Sequence, residues 1–177
     1  MLRQELGERL AARGLPSAEH CIVVSVDQQK LWLFEGERAR EYTVSTARAG
    51  VGCVADSFQT PLGWHRVAEK IGAEAPLGMV FKARQPTGRI WTEGPAPEDN
   101  LITSRILWLE GCELGHNAGQ DADGRVVDTK ARFVYLHGTN QVAKLGTPNS
   151  HGCVLLSDDD IVDLFARVPV GTPVYLR

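Results

Sequence analysis

The sequence predicts a mostly β domain whose short strands close into a sandwich or barrel, with few short helices. Three observations predict it. Runs of five or so β-branched, aromatic and aliphatic residues recur along the chain. Tight turns rich in Gly, Pro, Asn and Asp separate them. A single internal segment carries a helix start signal.

The elements follow in order. Leu2, Leu6 and Leu10 recur at a spacing of four, which predicts a short amphipathic helix ending near Gly14, so that residues 1–19 form a helix and linker and residues 20–177 the domain. Cys21 to Val26 reads as a strand, joined through Asp27-Gln28-Gln29 to a second strand, Lys30 to Phe34. Glu35-Gly36-Glu37-Arg38 turns the chain into Glu41 to Thr46, completing a meander. Thr60-Pro61-Leu62-Gly63 is a further turn, followed by strand from Trp64 to Val67. Residues 72–100 are rich in Gly and Pro, and a loop of that length in a small domain predicts an ordered flap over a functional site. Leu101 to Leu109 is strand-like. Residues 115–124 form a polar loop, and Arg132 to Leu136 is a strand running into His137. Ser157 followed by three aspartates caps a helix whose apolar face is Ile161, Leu164 and Phe165. Gly171 to Leu176 returns as a closing strand.

Composition narrows the function classes. The chain has 177 residues, 43% apolar and 23% charged, as an ordinary globular domain does. A net charge of −3, with no run of Lys or Arg, argues against nucleic acid as a partner. No window reaches membrane-spanning length. Charges interrupt the N-terminal apolar residues too often for a signal peptide, which predicts a cytoplasmic protein, or a periplasmic one if a signal has been trimmed away. The four cysteines, Cys21, Cys53, Cys112 and Cys153, are then expected as free thiols.

The chemistry concentrates in two short stretches, His137-Gly138-Thr139-Asn140 and Ser150-His151-Gly152-Cys153. They bring an imidazole and a thiol close in sequence, each beside glycine. Cysteine acyl transfer needs a sulfur nucleophile, a base, and backbone that approaches a substrate closely. Cys153 is the candidate nucleophile and His137 the candidate base, a role that typically contributes about 10²–10⁴-fold. The N–H groups around Gly152 and Cys153 are candidate oxyanion donors, each worth roughly 3 kcal/mol in a transition state.

Other constellations are weaker. Cys112 and His116 have a Cys-x₃-His spacing, and His151 and Cys153 offer two further zinc ligands. A tetrahedral site needs four convergent ligands and would consume the nucleophile, so no metal is expected. Asp121, Asp123 and Asp128 lack the calcium-loop pattern and read as a solvated loop tip. Trp32, Trp64, Trp91 and Trp108 read as packing residues, of which Trp64 or Trp91 could cover a substrate.

The two stretches resemble the signature of the L,D-transpeptidase (YkuD-type) catalytic domain. That signature is His-Gly-Thr, an apolar-Gly pair, then Ser-x-Gly-Cys and an apolar residue, here His137-Gly138-Thr139, Leu145-Gly146, Ser150-His151-Gly152-Cys153 and Val154. Upstream, Val23 to Phe34 resembles the family's first hairpin, Tyr42 to Thr46 its next strand, and Thr60-Pro61-Leu62-Gly63 its Thr-Pro-x-Gly turn. The likeness spans roughly residues 20–176 and implies an L,D-transpeptidase-like β-sandwich or barrel.

The resemblance implies roles. Cys153 is acylated, and His137 takes its proton and passes it to the leaving amine. The Gly138 carbonyl orients the imidazole. His151, Gly152 and Cys153 line the oxyanion pocket, and Ser150 supports the loop. Thr139 and Asn140 join Trp64 as substrate-contact candidates. The implied substrates are peptidoglycan stem peptides or muropeptides, carbapenems form adducts with the same cysteine in many members, and no cofactor is required. One position departs from the pattern. The family commonly has Arg, or sometimes Asn, two residues after the cysteine, whereas this chain has Leu155. Leucine cannot anchor a carboxylate. Arg66, Arg84 and Arg105 are the candidates to replace that cation.

Two activities follow from the resemblance. An L,D-carboxypeptidase would remove terminal D-alanine from a stem tetrapeptide with water as acceptor, as in muropeptide recycling. Its alternative is an L,D-transpeptidase that cross-links or exchanges D-amino acids. A non-catalytic binding module would keep the fold without the reaction.

Overall fold

Alternating burial organises the chain in the computed structural model, which describes residues 19–92 and 99–177. The predicted leading helix lies outside the described residues. β1 (His20–Ser25), β2 (Lys30–Glu35) and β3 (Arg38–Thr43) form the expected meander. β4 (Gly63–Ile71) follows the Thr60-Pro61 turn. β5 (Met79–Lys82) and β6 (Gln85–Ile90) form a hairpin inside the segment expected as a flap, and β5 pairs with β7 (Ile102–Gly111). β8 (Tyr135–Gly138), β9 (Val154–Leu156), α1 (Asp158–Arg167) and β10 (Pro173–Leu176) complete the described elements.

The sheet order is β3-β2-β1-β10-β4-β7-β5-β6, with β8 pairing β7 and β9. It is mixed, since β1 and β10 are parallel, as are β8 and β9. The path β3-β2-β1-β10-β4-β7-β8-β9 closes on itself. Just after β3, Ser45 exchanges two backbone hydrogen bonds with Leu155 of β9, at 3.0 and 2.8 Å. That bridge turns an open sheet into a barrel and pairs two edges that water would otherwise have to satisfy.

Strand alternation directs Ile22, Val24, Leu31, Leu33, Leu107, Leu109, Leu136, Val154 and Leu156 into one core. α1 packs on β7 and β8 and adds Ile161, Leu164 and Phe165 to it. Ser157 caps α1 by accepting the Asp160 N–H at 3.1 Å, worth about 1 kcal/mol. Asp158, Asp159 and Asp160 sit at the positive end of the helix dipole, and Arg167 near its other end pairs with Asp163 at 2.8 Å. Among the described residues no helix is long and apolar enough to cross a membrane.

One strand starts later than the sequence predicts. Residues 129–133 form a turn, Val134 belongs to no element, and β8 begins only at Tyr135. Asp128 explains the difference, because its carboxylate accepts from Ala131 N–H and its carbonyl from Arg132 N–H, at 2.9 and 3.0 Å. Phe133 then takes a φ of +55°, in the left-handed region and outside the range of regular strand. Asp128, read from sequence as part of a solvated tip, is the residue that shapes this turn.

Candidate functional site

Parallel pairing of β8 and β9 builds the site. The register sets Leu136 beside Val154 and His137 beside Leu155. Leu136 and Val154 point into the core. By alternation, Tyr135 and His137 on β8 and Cys153 just before β9 point to the other face. There Cys153 joins a second apolar cluster with Phe81, Ile106, Tyr135 and Trp108. Residues 16 positions apart thus become diagonal neighbours on one sheet face.

His137 is 2% exposed, and its Nδ1 lies 2.7 Å from the Gly138 carbonyl oxygen. A carbonyl only accepts, so Nδ1 carries the proton and Nε2 keeps its lone pair. Burial pulls the imidazole down from 6.5 to about 4, with the Gly138 bond acting against it. The ring is therefore a neutral base at neutral pH. Its edge meets Tyr135, with ring centroids 6.4 Å apart.

The Cys153 sulfur accepts the Tyr135 N–H at 3.4 Å and donates to the Phe133 carbonyl at 3.6 Å. Burial pushes the thiol up to about 11, while the Tyr135 N–H and the Arg132 charge act in the opposite sense. Among the described residues no hydrogen bond joins the thiol to His137. Both groups rest in their neutral forms at neutral pH.

The loop before the sulfur is held on several sides. Asn149 and Ser150 N–H both donate to the Thr46 carbonyl, at 2.8 and 2.9 Å. Ser150 Oγ donates to the Cys153 carbonyl at 2.5 Å and accepts the Gly152 N–H at 3.1 Å. Of the two expected oxyanion donors, the Gly152 N–H is thus engaged by Ser150. The Cys153 N–H engages no acceptor among the described residues and is the backbone donor left beside the sulfur. Gly152 adopts φ +130°, a conformation that disfavours a side chain, and its carbonyl accepts from Thr60 Oγ1 at 3.1 Å. The Thr60-Pro61 turn thereby braces the loop that carries Cys153.

The remaining candidates separate. His151 is on the exposed rim, 3.2 Å from Arg48 Nη2 and edge-on to Phe58. Thr139 donates to the Asn100 side chain at 2.6 Å, and Asn140 accepts the Leu101 N–H at 2.7 Å. Both thus tether the segment before β7. Trp64 is buried against Tyr175 in a cluster apart from that of Cys153. Arg66 pairs with Glu110 at 2.6 Å, and Arg105 donates to the carbonyls of Ala75 and Ser104. Arg84 alone of the three candidate cations contacts Tyr135 and Trp108 beside the sulfur. Its guanidinium lies over Trp108 and Phe133 and donates to Tyr135 Oη at 3.2 Å. His116 faces Cys53 at 3.9 Å.

Arg132 was not singled out from the sequence, where it reads as the first residue of a strand. Its guanidinium donates to the carbonyls of Gly52, Cys53 and Gln59 at 3.2, 2.9 and 2.7 Å. It gathers the loop that packs under Gly152 and puts a fixed positive charge near Cys153. No sequence signal marks it, since a lone Arg before an apolar run is commonplace.

Gly138 has no room for a side chain. A Cβ there would stand 2.5 Å from Asp158 Oδ1 and 2.6 Å from the Thr103 carbonyl. Gly138→Ala is expected to destabilise the protein by about 1–3 kcal/mol and to disturb the carbonyl that holds His137. Urea denaturation checks this, and an unchanged midpoint would contradict the packing.

Comparison with known proteins places the chain in a family. The model of the L,D-transpeptidase catalytic domain matches residues 19–176. The protein named "Probable L,D-transpeptidase YbiS" of Escherichia coli K12 is 51% identical over 107 residues, covering 59% of this chain and 34% of the relative. "Probable L,D-transpeptidase ErfK/SrfK" of Salmonella typhimurium is 31% identical over 158 residues, covering 88% of this chain and 43% of the relative. The chain therefore matches half or less of the length of these relatives. An L,D-transpeptidase structure from Mycobacterium smegmatis shares the fold with TM-score 0.53 and 18% identity, covering 90% of this chain and 59% of that one.

Proposed function

Since the chain belongs to the L,D-transpeptidase catalytic-domain family, we propose that it is a cysteine acyl-enzyme peptidase of peptidoglycan stem tetrapeptides, with Cys153 as nucleophile and His137 as base. The observation that carries the reading is the neutral His137, its Nδ1 proton held by Gly138, on the same sheet face as a thiol held neutral beside it.

In this reading the substrate displaces the thiol from the Phe133 carbonyl. The thiol proton passes to His137 Nε2 as sulfur attacks the carbonyl at the L-centre of the diamino acid. The Cys153 N–H donates to the oxyanion. Collapse breaks the C–N bond, and the imidazolium gives its proton to the departing amine of D-alanine. Water, deprotonated by His137, then attacks the thioester. The C–S bond breaks, and the proton returns to sulfur.

Water is the proposed acceptor because the position two after the nucleophile is Leu155, fully buried against Ser45, where no cation can hold a second anionic stem. The names of the relatives favour an amine acceptor, which changes only the last step. A structure of the same fold, LD transpeptidase LdtMt1 in complex with imipenem, supports a carbapenem adduct at Cys153 as a probe of the same chemistry.

The test is mass spectrometry of a disaccharide-tetrapeptide bearing meso-diaminopimelate after incubation with the protein. Cysteine-dependent loss of D-alanine to tripeptide alone is the expected result. Dimers or D-amino-acid exchange would establish transfer in place of hydrolysis. No conversion of any kind would end the peptidase reading.

A further inference from the structure

The turn of the β5–β6 hairpin is built at a cost. Lys82 pairs with Gln85, so Ala83 and Arg84 are its two central residues, with φ of +47° and +66°. Such a turn is relaxed with Asn-Gly. Two residues with side chains at positive φ store strain, of order 1 kcal/mol or more each, which the contacts of the turn must offset. The strained turn delivers Arg84 to the ring faces of Trp108 and Phe133, at 4.9 and 4.8 Å from their centroids, and to Tyr135 Oη at 3.2 Å.

Other cations around the sulfur are engaged. Arg132 is taken up by three carbonyls, and Lys130 pairs with Glu69 at 3.0 Å. Arg48 donates to His151 on the opposite rim. Arg84 makes its one hydrogen bond among the described residues to Tyr135, and no described carboxylate pairs with it. A guanidinium has five donors, and ring stacking occupies its faces but not its edge. Its free edge is a fork matched to a carboxylate.

Tyr135 sets the spacing. Its N–H touches the Cys153 sulfur and its hydroxyl touches Arg84. Tyr135 therefore bridges sulfur and guanidinium, with one contact at each end of the residue. A carbonyl poised at the sulfur is followed, one residue on, by the carboxylate of the single amino acid beyond the scissile bond.

We propose that Arg84 is a specificity-determining residue that binds the carboxylate of the amino acid leaving from the scissile bond. The inference rests on the peptidase reading and deepens it. Position 155 is a leucine, and the hairpin supplies a cation from another element.

Binding in the Cys153→Ala background tests this without turnover. Calorimetry compares three tetrapeptides: the free acid, its C-terminal D-alaninamide, and one with lysine replacing diaminopimelate, which lacks the side-chain carboxylate. The free acid is expected to bind about 10–100-fold tighter than the amide, the worth of one charge-assisted pair. Arg84→Gln removes that preference, Arg84→Lys restores part of it, and Arg48→Gln leaves it in place. Equal weakening of acid and amide by Arg84→Gln would reduce Arg84 to a prop for Tyr135 and overturn the proposal. So would a preference that follows Arg48, an affinity that depends on the diaminopimelate carboxylate instead, or no binding of any peptide. Intact binding selectivity with no turnover by the unsubstituted protein would sink the peptidase reading alone.

Discussion

Cys153→Ala is expected to lower tetrapeptide conversion by at least about 10⁴-fold, since it removes the proposed nucleophile. His137→Gln is expected to cost about 10²–10⁴-fold near neutral pH, and its pH dependence is the sharper check. Burial holds the thiol at about 11. At pH 7 the thiolate is then on the order of one part in 10⁴, far below that of a free cysteine. Without a base the residual rate should climb with pH toward the thiol's own ionisation. With His137 present the rate should stay level as pH falls through 6.5 and decline only near 4, where the buried imidazole takes a proton. Stopped-flow acylation by a carbapenem across pH 4–10 reads both limbs. A decline centred on the ordinary histidine value of 6.5 would show that His137 is not the buried neutral base described here.

Acid is expected to destabilise the fold by several kcal/mol, and two histidines account for it. His65 is 1% exposed, with ring nitrogens 3.0 Å from the Gly63 carbonyl and from Thr129 Oγ1. Burial pulls it down to about 4, as it does His137. In the unfolded chain both protonate below their ordinary 6.5, whereas in the folded chain they resist until about 4. Between these values the unfolded state binds more protons, so stability falls as pH falls and levels off below 4. The interval is worth roughly 3 kcal/mol per histidine, a large part of a typical total of about 5–15. Urea denaturation from pH 7 to pH 4 measures it, and His65→Asn should remove about half the slope. A profile flat over that range would refute the assignment.

The meander, the strand after Thr60-Pro61, the capped helix and the closing strand were legible because each is a local pattern. Alternating apolar residues, Gly36 in a turn, and Ser157 before three aspartates act within a few residues of themselves. The β5–β6 hairpin was not, since its turn residues Ala83 and Arg84 carry no turn signal and β6 is exposed throughout. β9 was missed because three residues are too few to show a period, and its partners β8 and Ser45 lie far off in sequence. The start of β8 was misread because the carboxylate of Asp128 governs it from outside the apolar run.

For the site, the sequence by itself determined the chemical identities: a thiol, an imidazole, and glycines where Gly138 has no space and Gly152 has a conformation that disfavours a side chain. It also determined the strand on which His137 sits. Only the tertiary structure decided the electrostatic state, because pKa depends on burial and on neighbours that arrive from other strands. It made His137 a base at about 4 and Cys153 a thiol at about 11. It tied the Gly152 N–H to Ser150, brought Arg132 under the loop, and sent Arg66 and Arg105 elsewhere while setting Arg84 over Trp108 and Phe133. A side chain's type is written in the chain, but its charge and its partners come from the pairing of strands distant in sequence.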